Sequence, residues 1–339
     1  MPTRLKDIAN ALDVSLVTVS KVLRGKTDVS AETRDRILRK MEELNYKPNM
    51  IARGLASGRS LTVGLIVPDI ADPFFAELAR SLGAHLRRSQ YQLLLASADE
   101  SAAVEQHEIE NLLQRGVDAL LIASCQTNAT GLDAALRHHT PCVLLDRMLP
   151  GTQANFVGTD DVLAGRLATE HLFSLRRRRI AHIGSEGTST ATDRLRGYRE
   201  ALAAGRIPPD PALTITCDLH GGRPDLLGHD AMRQLLERPE HPDAVFCYSD
   251  LLAVGAIRAA REMGRRVPED IAVIGCGNLP LSAYLEVPLS SIDQGTAELG
   301  EHASQLALEL IGSKVPPAPK SLLVPPRVVV RASTGASAV

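Results

Sequence analysis

The 339-residue sequence lacks the features that mark several protein classes. Its five cysteines are an odd number with no CxxC pair, and four of them lie in or beside apolar, strand-like runs. This pattern predicts buried thiols in a reducing compartment and argues against a disulfide framework or a zinc site. No apolar run reaches about 18 residues, and the N-terminus has no signal-peptide core. We therefore expect a cytoplasmic protein with no membrane partner.

Catalytic signatures are also missing. The sequence contains no GxSxG, no HExxH, no Walker loop and no strand–GxGxxG–helix. Its ten histidines show no ligand spacing, and the pair His138–His139 is better explained as part of a helix surface. The sequence therefore predicts no enzyme activity, no metal site and no cofactor.

The charge is divided unevenly along the chain, although the formal net charge is only −2. Residues 1–60 carry twelve Lys and Arg against seven Asp and Glu, whereas the rest carries 26 against 33. A basic head on an acidic body indicates a polyanionic partner for the head alone. The alternative is an ordinary solvated helix face.

The basic head is patterned as three short helices. Apolar residues recur at i, i+3, i+4 and i+7 over residues 5–12, as on one face of a helix. Asp13 then stands where a turn needs a left-handed residue, which Asp tolerates. Ser15 and Ser30 are suited to cap the second and third helices. The expected core side chains of the second and third helices are Val19, Val22, Leu23, Ile37, Leu38, Met41 and Leu44.

The second helix has an unusual outward face, which mixes the apolar Leu16 and Val17 with Ser20, Lys21 and Arg24. A major groove explains this mixture, because apolar side chains meet thymine methyl groups and a lysine meets guanine acceptors. Ser20 and Arg24 are expected on phosphates. The alternative is a three-helix packing module without a ligand.

The segment that follows the head is a weak helix former. Residues 50–57 (MIARGLAS) are mildly amphipathic but short, and Gly54 weakens a helix by roughly 1 kcal/mol relative to Ala. We expect a segment that folds when it docks on a partner.

Several motifs in order now identify a family. VSLVTVSKVLRGK, LNYKPNMIARGL, GLIVPDIADPFFAEL, TDDVLAGRLATEHL and SDLLAVGAIRAA closely resemble the LacI/GalR family of bacterial transcription regulators. The resemblance implies that Leu16, Val17 and Lys21 face bases and that Leu55 wedges into the minor groove of a pseudo-palindromic operator; on physics alone, Leu55 reads as a linker residue. The predicted DNA-binding set is Thr3, Ser15, Leu16, Val17, Thr18, Ser20, Lys21, Arg24, Asn49, Ala52, Arg53 and Leu55.

From Leu61 onward, apolar strand-like runs alternate with amphipathic helices. The runs are LTVGLIV, YQLLLAS, ALLIAS, CVLLD, IAHIG, LTITC, AVFCY, IAVIGC, LLV and RVVVR. This rhythm predicts an α/β fold of parallel sheets with helices on both faces, and so many strands favour two sheets over one. The family resemblance implies a two-lobed body like that of periplasmic binding proteins.

The predicted organisation is a small all-α head, a linker and a body whose chain crosses between lobes near Asp160–Asp161 and Pro288–Ser291. The predicted ranges are a helix-turn-helix DNA-binding domain at 1–46, a hinge helix and linker at 47–60, and an effector-binding and dimerisation domain at 61–339, with lobe 1 at 61–159 and 291–319 and lobe 2 at 160–290 and 320–333.

Ligands in such folds bind beyond the carboxyl ends of the strands, so the default site is a cleft between the lobes. Aromatic rings and paired charges there suit a polyol, and the resemblance implies that Arg194 anchors the effector. The predicted effector-binding set is Asp72, Phe74, Phe75, Asp146, Arg147, Arg194, Ser249 and Asn278. The alternatives are helix-start packing for the two phenylalanines, a solvated turn for Asp146–Arg147 and a dipole-complementing charge for the neighbouring Asp250.

The segment Gly275–Asn278 stands where many relatives carry an acidic residue. Together with Arg147 and Arg194, this absence favours a sugar acid over a neutral sugar. The sequence thus predicts a homodimeric, effector-controlled repressor of carbohydrate or sugar-acid catabolism genes. A dimer is expected because no leucine heptad follows RVVVRAST. The alternatives are a solute-binding protein of a sugar transport system and an α/β enzyme.

Overall fold

The structure is a computed structural model that describes residues 5–23, 28–46, 59–126, 128, 132–219, 223–315 and 317–335. It divides into two compact units, residues 1–60 and 61–339. Six predicted DNA-binding residues lie outside the described residues, namely Thr3, Arg24, Asn49, Ala52, Arg53 and Leu55.

Within its described residues, 5–23 and 28–46, the head contains three helices, α1 (Leu5–Leu12), α2 (Leu16–Leu23) and α3 (Ala31–Glu43). Asp13 adopts φ +55°, as the turn between α1 and α2 requires. The backbone N–H of Thr18 donates to Ser15 Oγ at 3.0 Å, and that of Thr33 donates to Ser30 Oγ at 3.2 Å. The predicted turn and both caps are therefore confirmed.

The core of the head consists of Ile8, Ala9, Val19, Val22 and Ile37, with Met41 packed against it. The prediction that Leu38 and Leu44 complete this core is wrong, because both are exposed. Three short helices enclose only one central seam, and Leu38 of α3 and Leu44, which follows α3, lie outside it.

The body alternates strands and helices. Its strands are β1 (Thr62–Val67), β2 (Gln92–Ser97), β3 (Ala119–Ile122), β4 (Cys142–Leu145), β5 (Asn155–Thr159), β6 (Ile180–Ser185), β7 (Thr214–Cys217), β8 (Ala244–Cys247), β9 (Ala272–Cys276), β10 (Ser290–Asp293), β11 (Ser321–Val324) and β12 (Arg327–Val329). Its helices are α4 (Pro73–Arg88), α5 (Ala102–Gln114), α6 (Asp133–Arg137), α7 (Asp161–Ser174), α8 (Ser189–Ala204), α9 (Pro224–Leu236), α10 (Asp250–Glu262) and α11 (Thr296–Gly312).

The strands form two six-stranded sheets, in the orders β11-β5-β4-β3-β1-β2 and β12-β10-β9-β8-β6-β7. All neighbours are parallel except β10 and β12. Apolar clusters cover both faces of each sheet: α4 and α11 pack on one face of the first sheet and α5 on the other, and α9 and α10 face α7 and α8 across the second. The predicted α/β fold with a two-lobed body is confirmed.

The chain passes between the sheets at three places that differ in part from the predicted crossings. The first is at Asp160, between β5 and α7. The second follows β10 at Gln294–Gly295 rather than 290/291, and the third falls at Pro325–Pro326 rather than 319/320. Gly295 with φ +70° allows the second crossing, and prolines, which lack an N–H, end β11.

Close packing of α7 on α8 fixes the helix that bears Arg194. A Cβ at Gly165 would lie 2.1 Å from the carbonyl oxygen of Arg194, and one at Gly197 would lie 2.0 Å from that of Val162. Only glycine allows the two backbones to approach this closely.

Within the described part of the chain, no helix is long and apolar enough to cross a membrane, and no group of three or more His, Cys, Asp or Glu is placed to hold a metal. The cysteines are unpaired; Cys217, Cys247 and Cys276 are buried, and Cys125 and Cys142 are half-buried.

Candidate ligand cleft and nucleic-acid interface

The body contains a cavity of about 540 Å³ beyond the carboxyl ends of strands from both sheets, hereafter the central cavity. Its lining includes seven of the eight predicted effector-binding residues: Asp72, Phe74, Phe75, Asp146, Arg147, Arg194 and Ser249. Since parallel strands bring their carboxyl ends to one edge of each sheet, residues far apart in sequence meet here.

The first wall is the start of α4. Asp72 caps this helix, since its Oδ1 accepts a hydrogen bond from the Phe74 N–H at 2.9 Å. Burial and the nearby Asp146 charge raise the pKa of Asp72 to about 6, although the Phe74 N–H opposes the shift. The rings of Phe74 and Phe75 meet edge to face with centroids 5.1 Å apart. Both phenylalanines pack in the apolar core of the lobe and also line the cavity, so the packing and ligand interpretations are compatible.

The turn after β4 supplies two buried charges and is not a solvated turn. Asp146 has φ +57°, and its Oδ1 is buried without a hydrogen-bond partner among the described residues. Burial raises the pKa of Asp146, although Arg194 and Arg147 partly offset it. An unsatisfied buried carboxylate oxygen is costly unless a ligand donates to it.

Arg147 forms a fork with Glu100, donating from Nη1 to Oε2 at 3.1 Å and from Nη2 to Oε1 at 3.2 Å. Its guanidinium also lies 5.9 Å from the centroid of the Phe75 ring. Its Nε is buried and has no partner in the described part of the chain. The guanidinium charge is thus neutralised, and the buried Nε–H is left without a protein acceptor among the described residues.

Arg194 is a buried charge of the site. Its Nε donates to Asp161 Oδ1 at 2.7 Å, its Nη1 donates to the Tyr248 carbonyl at 2.8 Å, and its guanidinium lies 4.7 Å from the Tyr248 ring. Burial raises the pKa of Asp161 to about 7, although Arg194 opposes this. The arginine therefore has two acceptors within the protein.

The start of α10 carries Ser249 and Asp250. Ser249 Oγ caps the helix by accepting from the Leu252 N–H at 3.3 Å. Asp250 Oδ2 accepts from the Leu279 N–H and from Ser282 Oγ, both at 2.8 Å, and its Oδ1 accepts from a third group, Ser291 Oγ. These protein partners satisfy Asp250, as expected for a structural charge at a helix N-terminus.

Asn278 is the predicted effector residue that the structure places elsewhere. It lines a smaller groove of about 170 Å³, and its Oδ1 accepts from Arg331 Nη2 at 2.7 Å. Gly277 with φ +132° and Asn278 with φ +48° turn the chain there, so a position just after a strand does not fix where the side chain points.

The sequence analysis missed several cavity residues. Glu100 follows β2 by three residues and Tyr248 directly follows β8, so the strand-end rule applied to every strand finds both. Gln294, whose buried Nε2 has no partner within the described residues, lies at a crossing that was expected elsewhere.

Acidic residues outnumber basic residues in the lining of the central cavity. Three arginines line it, and each is paired with a carboxylate: Arg147 with Glu100, Arg194 with Asp161 and Arg223 with Asp225. The acidic residues of the lining outnumber them and are Asp69, Asp72, Asp99, Glu100, Asp146, Asp225 and Asp250. The excess of acceptors fits a neutral ligand that donates hydroxyl hydrogens.

The candidate nucleic-acid interface is the exposed face of α2. Leu16 is 50% and Val17 59% exposed, whereas Val19 of the same helix is 0% exposed. Lys21 lies on this face, and its Nζ contacts Asp28 Oδ2 at 2.6 Å in an exposed ion pair. An apolar patch beside a cation on so small a unit is typical of a binding surface.

Ser15, Thr18 and Ser20 complete the described part of the predicted interface. The hydroxyls of Ser15 and Thr18 lie 2.8 Å apart at the start of α2. A helix N-terminus with two hydroxyls suits a phosphate oxygen.

Two family models match the sequence. The model described as bacterial regulatory proteins, lacI family, matches residues 4–49. The model described as a periplasmic binding protein-like domain matches residues 169–334. The first match lies in the head, and the second lies in the body.

Relatives match over almost the whole chain. The ribose operon repressor of Haemophilus influenzae is 36% identical over 310 residues, which cover 91% of each chain. The HTH-type transcriptional regulator GalR of Salmonella typhimurium is 34% identical over 310 residues, 91% of this chain and 89% of the relative.

Solved structures agree. The lac repressor dimer bound to operator and the anti-inducer ONPF superposes with a TM-score of 0.86 at 27% identity, covering 99% of this chain and 100% of that one. The complex of the transcriptional regulator CelR with cellobiose gives a TM-score of 0.73 at 32% identity, covering 98% and 99%.

Proposed function

Since the chain belongs to the LacI family of bacterial regulatory proteins, we propose that it is a sequence-specific DNA-binding repressor of carbohydrate catabolism genes, controlled by a neutral sugar in the central cavity. The observation that carries this proposal is the pairing of an exposed apolar and cationic helix face in the head with an acceptor-rich cleft in the body. Regulators rather than enzymes are the relatives of this chain, and we propose no catalytic role for it.

In this proposal α2 lies in the major groove. Leu16 and Val17 contact thymine methyl groups, and Lys21 exchanges Asp28 for a guanine acceptor. Ser15, Thr18 and Ser20 hold phosphates. Thr3, Arg24, Asn49, Ala52, Arg53 and Leu55 keep their predicted roles on the operator, Leu55 as the minor-groove wedge.

The proposed effector stacks on Phe74 and Phe75. Its hydroxyls donate to the carboxylates of Asp72 and Asp146, and one oxygen accepts from the guanidinium of Arg147, since all three residues line the cavity. A neutral sugar is favoured because an anion would meet an excess of carboxylates. The names of relatives, such as the ribose operon repressor and the CelR–cellobiose complex, support sugars as the class.

We propose a homodimer on a twofold operator. Edge strand β2 exposes Leu94 and Leu95, and the second lobe exposes Leu281 and Tyr284. An exposed apolar edge strand invites pairing or cover, and a second copy covers it symmetrically. A solute-binding protein would share the body but would have no use for the head.

The test is fluorescence anisotropy of the full chain on duplexes from upstream of its own gene, with a scrambled duplex as control. We expect tight binding to one duplex that a sugar changes, and Asp146→Asn should remove the sugar response but leave DNA binding in place. Equal affinity for every duplex, with or without sugars, would contradict the proposal.

A further inference from the structure

The cleft continues beyond the central cavity. A second cavity of about 510 Å³, the outer chamber, shares Glu100, Arg147, Leu219 and Tyr248 with it. Each volume falls in the range of about 300–1,000 Å³ that is typical of small-molecule sites. The combined space therefore exceeds what one sugar ring needs.

The Arg147–Glu100 fork is the boundary between the two spaces. Both side chains are mostly buried, and both come from loops of the first lobe, after β4 and β2. From the second lobe, Tyr248 faces the same boundary, and its hydroxyl lies 2.8 Å from that of Thr190. The unpartnered Nε of Arg147 is buried at this junction.

The outer chamber differs in chemistry from the central cavity. No Phe lines it among the described residues, and its polar lining is rich in hydroxyls, from Ser124, Ser185, Thr188, Ser189 and Thr192, with the amide of Gln126. Both lobes contribute, and the Met148 N–H donates to Ser189 Oγ across the cleft at 2.8 Å. Hydroxyl and amide groups both donate and accept, which suits a second polyol ring.

Charge excludes a phosphorylated ligand from this chamber. Its acidic residues are Glu100, Glu186 and Asp193, and its one described cation, Arg147, is neutralised by Glu100. A phosphate would therefore be repelled, whereas a neutral ring would not.

We propose that the effector is a neutral disaccharide, with one ring in the central cavity, the second ring in the outer chamber and the glycosidic linkage beside the Arg147–Glu100 fork. This inference rests on the proposed function, because it presumes that the cleft binds a sugar. It adds a second subsite and the size of the ligand.

The experiment is isothermal titration of the full-length protein with cellobiose, lactose, maltose and trehalose and with their constituent monosaccharides. Two variants fill the outer chamber: Ser185→Phe at the end of β6 and Thr192→Trp on α8. Glu200→Trp is the matched control, because Glu200 is exposed on the same helix and lines neither cavity.

We expect one disaccharide to bind at least 10-fold more tightly than its monosaccharides. Each filling variant should weaken that disaccharide by 10-fold or more, with less than 3-fold change for the monosaccharides and no change from Glu200→Trp. A monosaccharide that binds as tightly as every disaccharide, or filling variants that bind the disaccharide normally, would overturn the second subsite and leave the sugar-regulated repressor intact. If no sugar of either size binds, both proposals for the cleft fail, while DNA binding is tested separately on the duplexes.

Discussion

Substitutions at two valines of α2 should distinguish a role in DNA recognition from a role in folding. Val17 is 59% exposed on α2, and Val19 is 0% exposed in the core of the head. Val17→Ala removes two methyl groups that contact no core, so the free energy of unfolding should change by less than about 0.5 kcal/mol. Val19→Ala removes the same atoms from the core. The loss of about 0.8 kcal/mol for each buried carbon group, together with the cost of the cavity left behind, should destabilise the head by about 2 kcal/mol.

For DNA binding the order should be reversed, with the direct effect coming from Val17→Ala. A lost thymine contact resembles a mismatched base pair, worth about 1–3 kcal/mol, so Val17→Ala should weaken operator binding by about 5- to 150-fold per half-site. Binding to nonspecific duplex should hardly change, because phosphates dominate it.

The assay pairs thermal unfolding of the head with anisotropy on operator and scrambled duplexes, for the parent and both variants. Val19→Ala should lower the unfolding temperature, and whatever affinity it loses should return on cooling. If Val17→Ala binds the operator like the parent, α2 does not read bases, and the recognition surface has been placed wrongly.

Four further predictions concern charges. Asp28→Asn frees Lys21 from an exposed ion pair of the kind worth about 0.2–1 kcal/mol, so nonspecific DNA affinity should rise by up to about 5-fold at low salt. An unchanged affinity in a salt titration would mean that the Lys21–Asp28 pair does not compete with DNA. Burial raises the pKa of Asp72 to about 6, so this carboxylate is ionised at neutral pH and sugar affinity should fall as the pH drops through 6. In Asp72→Asn the sugar affinity measured by calorimetry should change little between pH 5 and 7. In the absence of sugar, the effect of pH on the stability of the fold has the opposite sign. Because the folded-state pKa values of Asp72 and Asp161 are raised, the stability that they contribute is greatest near pH 4 and is lost as the pH rises through about 6 and 7. Denaturant midpoints of the parent and of Asp72→Asn should show this loss. Arg194→Ala should destabilise the body by about 3–5 kcal/mol, because it leaves Asp161 buried and unpaired. Arg194→Met combined with Asp161→Leu should recover most of the stability but not the sugar response. If Arg194→Ala is as stable as the parent, the pair is not buried in solution.

The sequence predicted most of the fold because its local signals are strong. Asp13 and the two serine caps define the ends of the head helices, and ten apolar runs became strands. It missed β5 and β10, which are short and carry polar residues such as Asn155 and Ser290. Their strand character comes from neighbouring strands that supply hydrogen bonds, and no local pattern records that.

The sequence predicted most of the residues that line the candidate site but not the residues with which they pair. Strand-end reasoning and resemblance named Asp146, Arg147 and Arg194, which line the central cavity, but could not show that Glu100 neutralises Arg147. Asn278 points away because two left-handed residues turn the chain there. Such pairings depend on backbone torsion angles and on contacts between distant segments, which a local sequence pattern does not record.

The central claim is that a sugar in the body changes how tightly the head holds DNA. The most direct measurement is a linkage cycle: operator affinity with and without saturating sugar, and sugar affinity with and without saturating operator, on the same full-length protein. A coupling of about 1–3 kcal/mol is typical, so both affinities should change by one common factor of about 5 to 150. If the sugar binds the free and the operator-bound protein equally well, the cleft does not control the head.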